Sequence, residues 1–451
     1  MATTYLTRTP STNGNRQIFT FSAWIKRSAL SSSNTYAIAY FGATSITDGT
    51  TVIRFLNDEL NVYIRDGSNN RMLTTNRLFR DTSAWYHIVV EVDTTQATES
   101  NRVKLYVNGE QETSFSSATY PTQNLNLNVS TSGQINRLGV YADSGGSLGS
   151  YFDGSMSHFH FIDGTAYDAT AFGQYDANGV WTINTSPSVT YGTNGFFILK
   201  DSASVTDQSG NGNNWTVSGG TLTDTLDCSA NVFATLNSLY KTVACTLSNG
   251  STKSQITSAT SKYAPGSTIK VSSGKWYAEF KCNSNGGAEQ QAVGLYGDEQ
   301  NASSNDQGVG KANDSYSWRS DGEWMVDNTG SPDFNSYGSG DIISIALDLD
   351  NNYLYFAKNG VWENSGDPTS GATGTGGKSI TAASGVVDGV YSMGAGSNSS
   401  GNLSDWSANF GNGYFGTTAV ASAGTNASGN GIFEYDVPTG YTALSTKGLN
   451  L

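Results

Sequence analysis

The sequence predicts an all-β protein: two antiparallel β-sandwich (jelly-roll) domains in tandem. Three observations lead there. Aromatic residues make up 12% of the chain, with 24 Tyr and 9 Trp, in a background rich in Gly, Ser, Thr and Asn. Aromatics suit a pleated surface, and Gly and Asn suit the turns between strands. No long segment repeats its apolar residues every 3.6 positions, so extended helices are not expected. Residues 340–362, GDIISIALDLDNNYLYFAKNGVW, hold two apolar runs, 342–349 and 353–357, around Asp350-Asn351-Asn352. A second turn, Lys358-Asn359-Gly360, follows, and such runs flanking Asp/Asn/Gly turns are a hairpin signature.

A length of 451 residues suits two to four domains. Five stretches differ in character. Residues 1–16 read as an N-terminal arm. Residues 17–219 form a first strand-rich region with an irregular end. Residues 220–270 are a Ser/Thr/Asn-rich connector anchored by Phe233, Leu236, Leu239 and Tyr240. Residues 271–416 form a second strand-rich region, and 417–451 a tail whose aromatic and apolar content makes it pack. In the first region, residues 17–26 alternate: Phe19, Phe21 and Ala23 face one way, Thr20, Ser22 and Trp24 the other. Further strands are expected at 36–42, 51–56, 60–65, 85–93, 102–107, 135–141, 156–162 and 195–200, with one helical turn near 169–175. In the second region strands are expected at 276–281, 292–296, 316–319, 323–327, 342–349, 353–357, 390–395 and 407–410. The Gly/Thr-rich stretch 366–377 reads as a flexible loop, and 398–403 as a polar segment. Many short strands separated by turns pack as two sheets.

The net charge is −14. Nucleic acid is not an expected partner, because phosphate binding needs Lys and Arg. Anionic membrane surfaces are disfavoured likewise, and no apolar run approaches the ~20 residues of a spanning helix. The start, MATTYLTRTPSTNG, lacks a basic stretch followed by an apolar one, so no secretory leader is expected. Cys228, Cys245 and Cys282 are too few and too irregularly spaced for a disulfide framework or a zinc module, and read as free thiols.

Candidate chemistry is sparse. Asp207, Ser209, Asn211 and Asn213 place oxygens at every second residue of a Gly-bearing loop, a spacing that calcium sites use. The simpler reading is a loop whose side chains satisfy their own backbone. His158 and His160 share a strand face and could meet a metal, with His87 the third histidine; packing beside Phe159 and Phe161 is the alternative. Residues 145–149, GGSLG, match Gly-x-Ser-x-Gly but lack the strand and helix that a nucleophile elbow requires.

FTFSAWIK at 19–26, WYHIVVEVD at 85–93, VKLYVNGE at 103–110 and FDGSMSHFHFIDG at 152–164 occur in the order of the laminin-G-like, concanavalin A-like sandwiches, which the first region resembles. The resemblance implies a two-sheet jelly roll and binding of sugars or proteins, often with calcium, for which Asp153 and Asp163 are further candidate ligands. The same family contains glycan hydrolases with a Glu-x-Asp-x-x-Glu pattern, one acid a nucleophile and the other an acid/base. Here Glu91 and Asp93 fill the first two positions and Gln96 the last, and an amide cannot act as the carboxylic acid. The expectation is therefore not an enzyme.

GKWYAEFK at 274–281, AVGLY at 292–296, YSWRSDGEWMVDN at 316–328 and the hairpin at 340–361 resemble the SPRY (B30.2-like) sandwich. That resemblance implies a recognition module, with Trp318, Arg319, Trp324, Tyr337 and Trp362 as candidate ligand-binding residues; core packing is the alternative for each Trp. The whole order resembles a type of marine bacteriophage protein. It implies a virion structural protein at the capsid or tail surface, in several copies or as a homo-oligomer, contacting other virion proteins and host-surface glycan or protein. The alternatives are a free adhesin or lectin module, and a glycan-degrading enzyme.

Overall fold

The computed structural model describes residues 3–450 except 31–33, 43–45, 48, 178, 201–202, 241–243, 259–261, 285–289 and 399–402. Most of the polar segment at 398–403 thus lies outside the described residues. The described residues are nearly all β, in antiparallel sheets. It divides into two units, Met1–Asp224 and Thr225–Leu451. Cys228, Cys245 and Cys282 form no disulfide with one another.

In the first unit, an eight-stranded antiparallel sheet runs in the order Phe115–Ala118, Asn69–Leu78, Glu59–Asp66, Thr51–Leu56, Thr35–Phe41, Asn136–Leu138, Tyr5–Arg8, Thr216–Ser218. A six-stranded sheet runs Phe196–Ile198, Gly154–Asp163, Ile18–Arg27, Trp85–Asp93, Val103–Val107, Glu110–Gln111. Their inner faces meet through Phe19, Phe21, Ile88 and Val90 on one side and Ile53, Phe55, Val62 and Ile64 on the other. Burying each of these side chains is worth roughly 1.5–3 kcal/mol.

The N-terminal arm is corrected: Leu6 is buried, and Tyr5–Arg8 pairs with both Asn136–Leu138 and Thr216–Ser218. The strand is only four residues long, too short for its alternation to register. Asn69–Leu78, NNRMLTTNRL, was not expected as a strand, because its Asn, Thr and Arg content hides the few apolar residues.

The outer face of the six-stranded sheet is also covered. Thr20, Ser22 and Trp24 point away from the core, yet all three are buried. Thr165 and Tyr167 bond to Thr20, whose Oγ1 donates to Thr165 O at 2.9 Å and accepts from Tyr167 N at 2.8 Å. The expected helical turn is the short 3-10 turn Ala169–Ala171, capped by Asp168 accepting from Thr170 N.

In the second unit, Cys245–Ser248, Lys253–Ile256, Ser404–Asn409, Lys275–Ser284, Ile342–Asp348, Tyr353–Lys358 and Val361–Trp362 form one sheet in that order, with Lys378–Ser379 and Thr442–Ala443 attached. A five-stranded sheet faces it: Thr329–Pro332, Glu323–Val326, Ser315–Arg319, Gln291–Tyr296, Ser392–Ser397. The first two strands of the larger sheet, Cys245–Ser248 and Lys253–Ile256, come from the stretch expected as a connector.

Every residue of Ile342–Asp348 is buried. Ile343, Ile345 and Leu347 enter the core between the sheets. Ala346, on the opposite face, packs under the tail with Tyr277, Tyr355, Phe433, Val437, Tyr441 and Ala443. A tail strand even pairs in parallel, Trp276 with Thr442 and Tyr277 with Ala443. The 366–377 loop is tied down rather than free: Pro368 is buried, and its carbonyl accepts from Tyr441 Oη at 2.9 Å.

Candidate functional site

Glu91 and Asp93, the first two positions of the hydrolase pattern, are each held by neighbouring groups. Glu91 accepts from Lys104 Nζ and from Tyr106 Oη, both at 2.9 Å. Asp93 closes its own turn, taking the Thr95 N–H and hydroxyl and the Gln96 amide. Ser147 lies in the turn between Tyr141–Ala142 and Leu148–Gly149, where Asp143 accepts its N–H, so it forms no nucleophile elbow.

In the 207–213 loop, the candidate calcium ligands Asp207, Ser209, Asn211 and Asn213 bond to protein groups. Asp207 Oδ1 accepts the backbone N–H groups of Phe197 and Ser209, and Oδ2 accepts Ser209 Oγ and the Asn213 N–H. Asn211 and Asn213 turn their amide N–H groups onto the carbonyls of Gly192, Thr193 and Gly195. Asn213 Oδ1 takes the Arg8 guanidinium. Donors converge on Asp207 where a cation would need lone pairs, and Arg8 supplies the positive charge. Asp163, likewise, accepts from Asn15 N and Asn194 N.

The histidines do not form a metal pair either. The strand Gly154–Asp163 bulges between Ser157 and His160, and His158 sits at φ 47°. His160 stacks on Phe197 at 3.9 Å, with Nδ1 at 2.9 Å from Tyr191 Oη, and burial holds its pKa down. His87 lies between the rings of Trp24 and Trp181. Its Nδ1 accepts from Trp181 Nε1 at 3.0 Å, so Nε2 carries the proton toward Ser22 Oγ. Burial lowers its pKa to about 3. Among the described residues no group of three His, Cys, Asp or Glu could hold a metal ion.

The five aromatic and Arg candidates separate. Trp318, Trp324 and Tyr337 are core residues, and their exposed contact role is corrected: Trp318 is 0% exposed and donates to Asn335 O, Trp324 is 9% exposed, and Tyr337 Oη bonds Gln291 O and Trp318 O. Arg319 is clamped by Asp321 and Glu323. Only Trp362 is left at an opening.

That opening is a cleft of about 490 Å3. One wall is the hairpin, with Ala357, Gly360 and Trp362; the other is the tail, with Ser422, Gly424, Glu434, Tyr435 and Asp436. The tail wall is fixed from below by Glu279, which is fully buried. Its Oε2 accepts Glu434 N at 2.8 Å and Asn409 Nδ2 at 3.3 Å; its Oε1 accepts Tyr435 N at 2.9 Å and Tyr277 Oη at 3.1 Å. Burial pushes Glu279 up to about 7, against the pull of those four donors. The Tyr435 ring lies on the Asn359-Gly360 turn, which only a residue without Cβ permits: a Cβ on Gly360 would stand 2.6 Å from Tyr435 Cδ1. The sequence reading missed Glu279 and the tail residues. A lone Glu within an apolar strand, KWYAEFK, was the one available signal.

Residues 2–170 match the family model described as the Concanavalin A-like lectin/glucanases superfamily. Residues 275–378 match the SPRY domain model. A concanavalin A-like domain is followed by a SPRY domain. No curated protein matches the chain. Among solved structures, the human HERC1 SPRY domain is 18% identical, covering 37% of this chain and 91% of that one, with a TM-score of 0.26. A heptameric SAP-like pentraxin from Limulus polyphemus is 18% identical, covering 36% and 71%, with a TM-score of 0.28. The CBM40 of a Ruminococcus gnavus sialidase, bound to alpha2,3 sialyllactose, is 16% identical, covering 32% and 75%, with a TM-score of 0.25.

Proposed function

We propose that the chain is a non-catalytic recognition protein of a bacteriophage virion surface, at the capsid or tail, present in multiple copies and binding host-surface glycan or protein. The observation that supports recognition over catalysis is the state of Glu91. Its two oxygens are bonded to Lys104 and Tyr106, and the third position of the hydrolase pattern is Gln96. The virion assignment is supported by the order of the two modules and the tail, which resembles that of marine phage proteins. Mass spectrometry of purified virions tests it: the chain should appear in stoichiometric copies. Its absence from washed particles would favour a free adhesin.

The glucanase branch of the first family model favours one second reading, a glycan-degrading enzyme. Reducing-sugar release from host polysaccharide, lost in Glu91→Gln, would establish it.

A further inference from the structure

We infer that the cleft between the 353–362 hairpin and the 422–436 tail segment binds a neutral saccharide residue through Trp362 and Tyr435. This rests on the recognition reading and names the ligand class for one site. The cleft differs from the other polar clusters described above in having unused hydrogen-bonding capacity. Trp362 Nε1, Tyr435 Oη and Ser422 Oγ have no protein partner among the described residues. Glu434 commits one oxygen, Oε2, to Ala421 N at 2.6 Å, and Asp436 commits Oδ1 to Thr425. Each keeps its second oxygen. By contrast, Glu91, Asp207, Glu279 and Arg319 are held by their own neighbours.

Two half-buried aromatic rings beside donors and acceptors suit a hydroxyl-rich ring: its C–H face packs on an aromatic surface, and its hydroxyls pair with carboxylates and indole N–H. The volume is that of a small-ligand site. Among the described residues no basic side chain lines the cleft, and two carboxylates do, so an anionic sugar is repelled.

The test is saturation-transfer NMR of the full chain with methyl glucoside, methyl mannoside, methyl galactoside, N-acetylglucosamine, N-acetylneuraminic acid and tetramethylammonium. Transfer to at least one neutral sugar is expected, with none to N-acetylneuraminic acid. Trp362→Ala should weaken that binding about tenfold or more. Glu434→Gln, which keeps the acceptor for Ala421, should weaken it about threefold or more and guards against a folding defect in the first variant. Transfer only to tetramethylammonium, or to N-acetylneuraminic acid, overturns the ligand class. Neutral-sugar binding that survives both substitutions overturns this site while leaving the recognition reading intact. No transfer to any sugar overturns both this site and the glycan arm of that reading.

Discussion

Glu279 and Tyr435, 156 positions apart, are joined by one short contact: the Tyr435 backbone N–H donates to Glu279 Oε1 at 2.9 Å. With the neighbouring bond from Glu434 N at 2.8 Å, it makes one buried carboxylate the fastening of the tail. Removing it in Glu279→Ala strands two backbone donors, each costing ~1–3 kcal/mol. The variant should lose about 2–5 kcal/mol in urea unfolding and be cut faster by protease between residues 421 and 437. Unchanged proteolysis of the tail would contradict the fastening role.

The two units carry titrating groups of opposite sign. Glu279 is pushed up to about 7 from 4.5, so its contribution is full below pH 4.5 and is lost as pH rises through 7. His87, among Trp24, Trp181 and Ser22, is held at about 3 against 6.5. Its contribution is present above pH 6.5 and is lost as pH falls toward 3. The stability of the natural chain relative to Glu279→Gln should therefore be greater at pH 5 than at pH 7.5. Relative to His87→Gln it should be greater at pH 7.5. Urea midpoints of the three proteins at both pH values give the comparison.

Gly360 is held at φ 82° beneath the Tyr435 ring. Gly360→Ala brings a left-handed conformation that costs ~1–2 kcal/mol for an L side chain, and it also displaces the ring. A lower Tm and a changed Trp362 fluorescence environment are the expected outcomes.

The 207–213 loop should be indifferent to calcium. Millimolar calcium or a chelator should leave Tm within about 1 °C, since a cation that does not bind adds no stability. Asp207→Ala should instead cost about 3 kcal/mol or more, because three backbone N–H groups, those of Phe197, Ser209 and Asn213, lose their acceptor.

Much of the fold was legible because strand and turn chemistry is local. Residues 342–349 and 353–357 correspond to the strands Ile342–Asp348 and Tyr353–Lys358, and Phe19, Phe21 and Ala23 face the core as their alternation requires. What stayed hidden was the second covering of each sandwich. Thr20, Ser22 and Trp24 alternate with the core-facing Phe19, Phe21 and Ala23, yet all three are buried. Alternation says which residues share a face; it does not say whether water or chain covers that face. The site suffered from the same gap. Trp318, Trp324 and Trp362 look alike in sequence, and only tertiary packing leaves Trp362 beside a cleft.

The most direct test of recognition without catalysis is size-exclusion chromatography of the full chain incubated with purified host-surface polysaccharide. The account predicts co-elution with polysaccharide of unaltered length. Progressive shortening of the polysaccharide, abolished by Glu91→Gln, would contradict it.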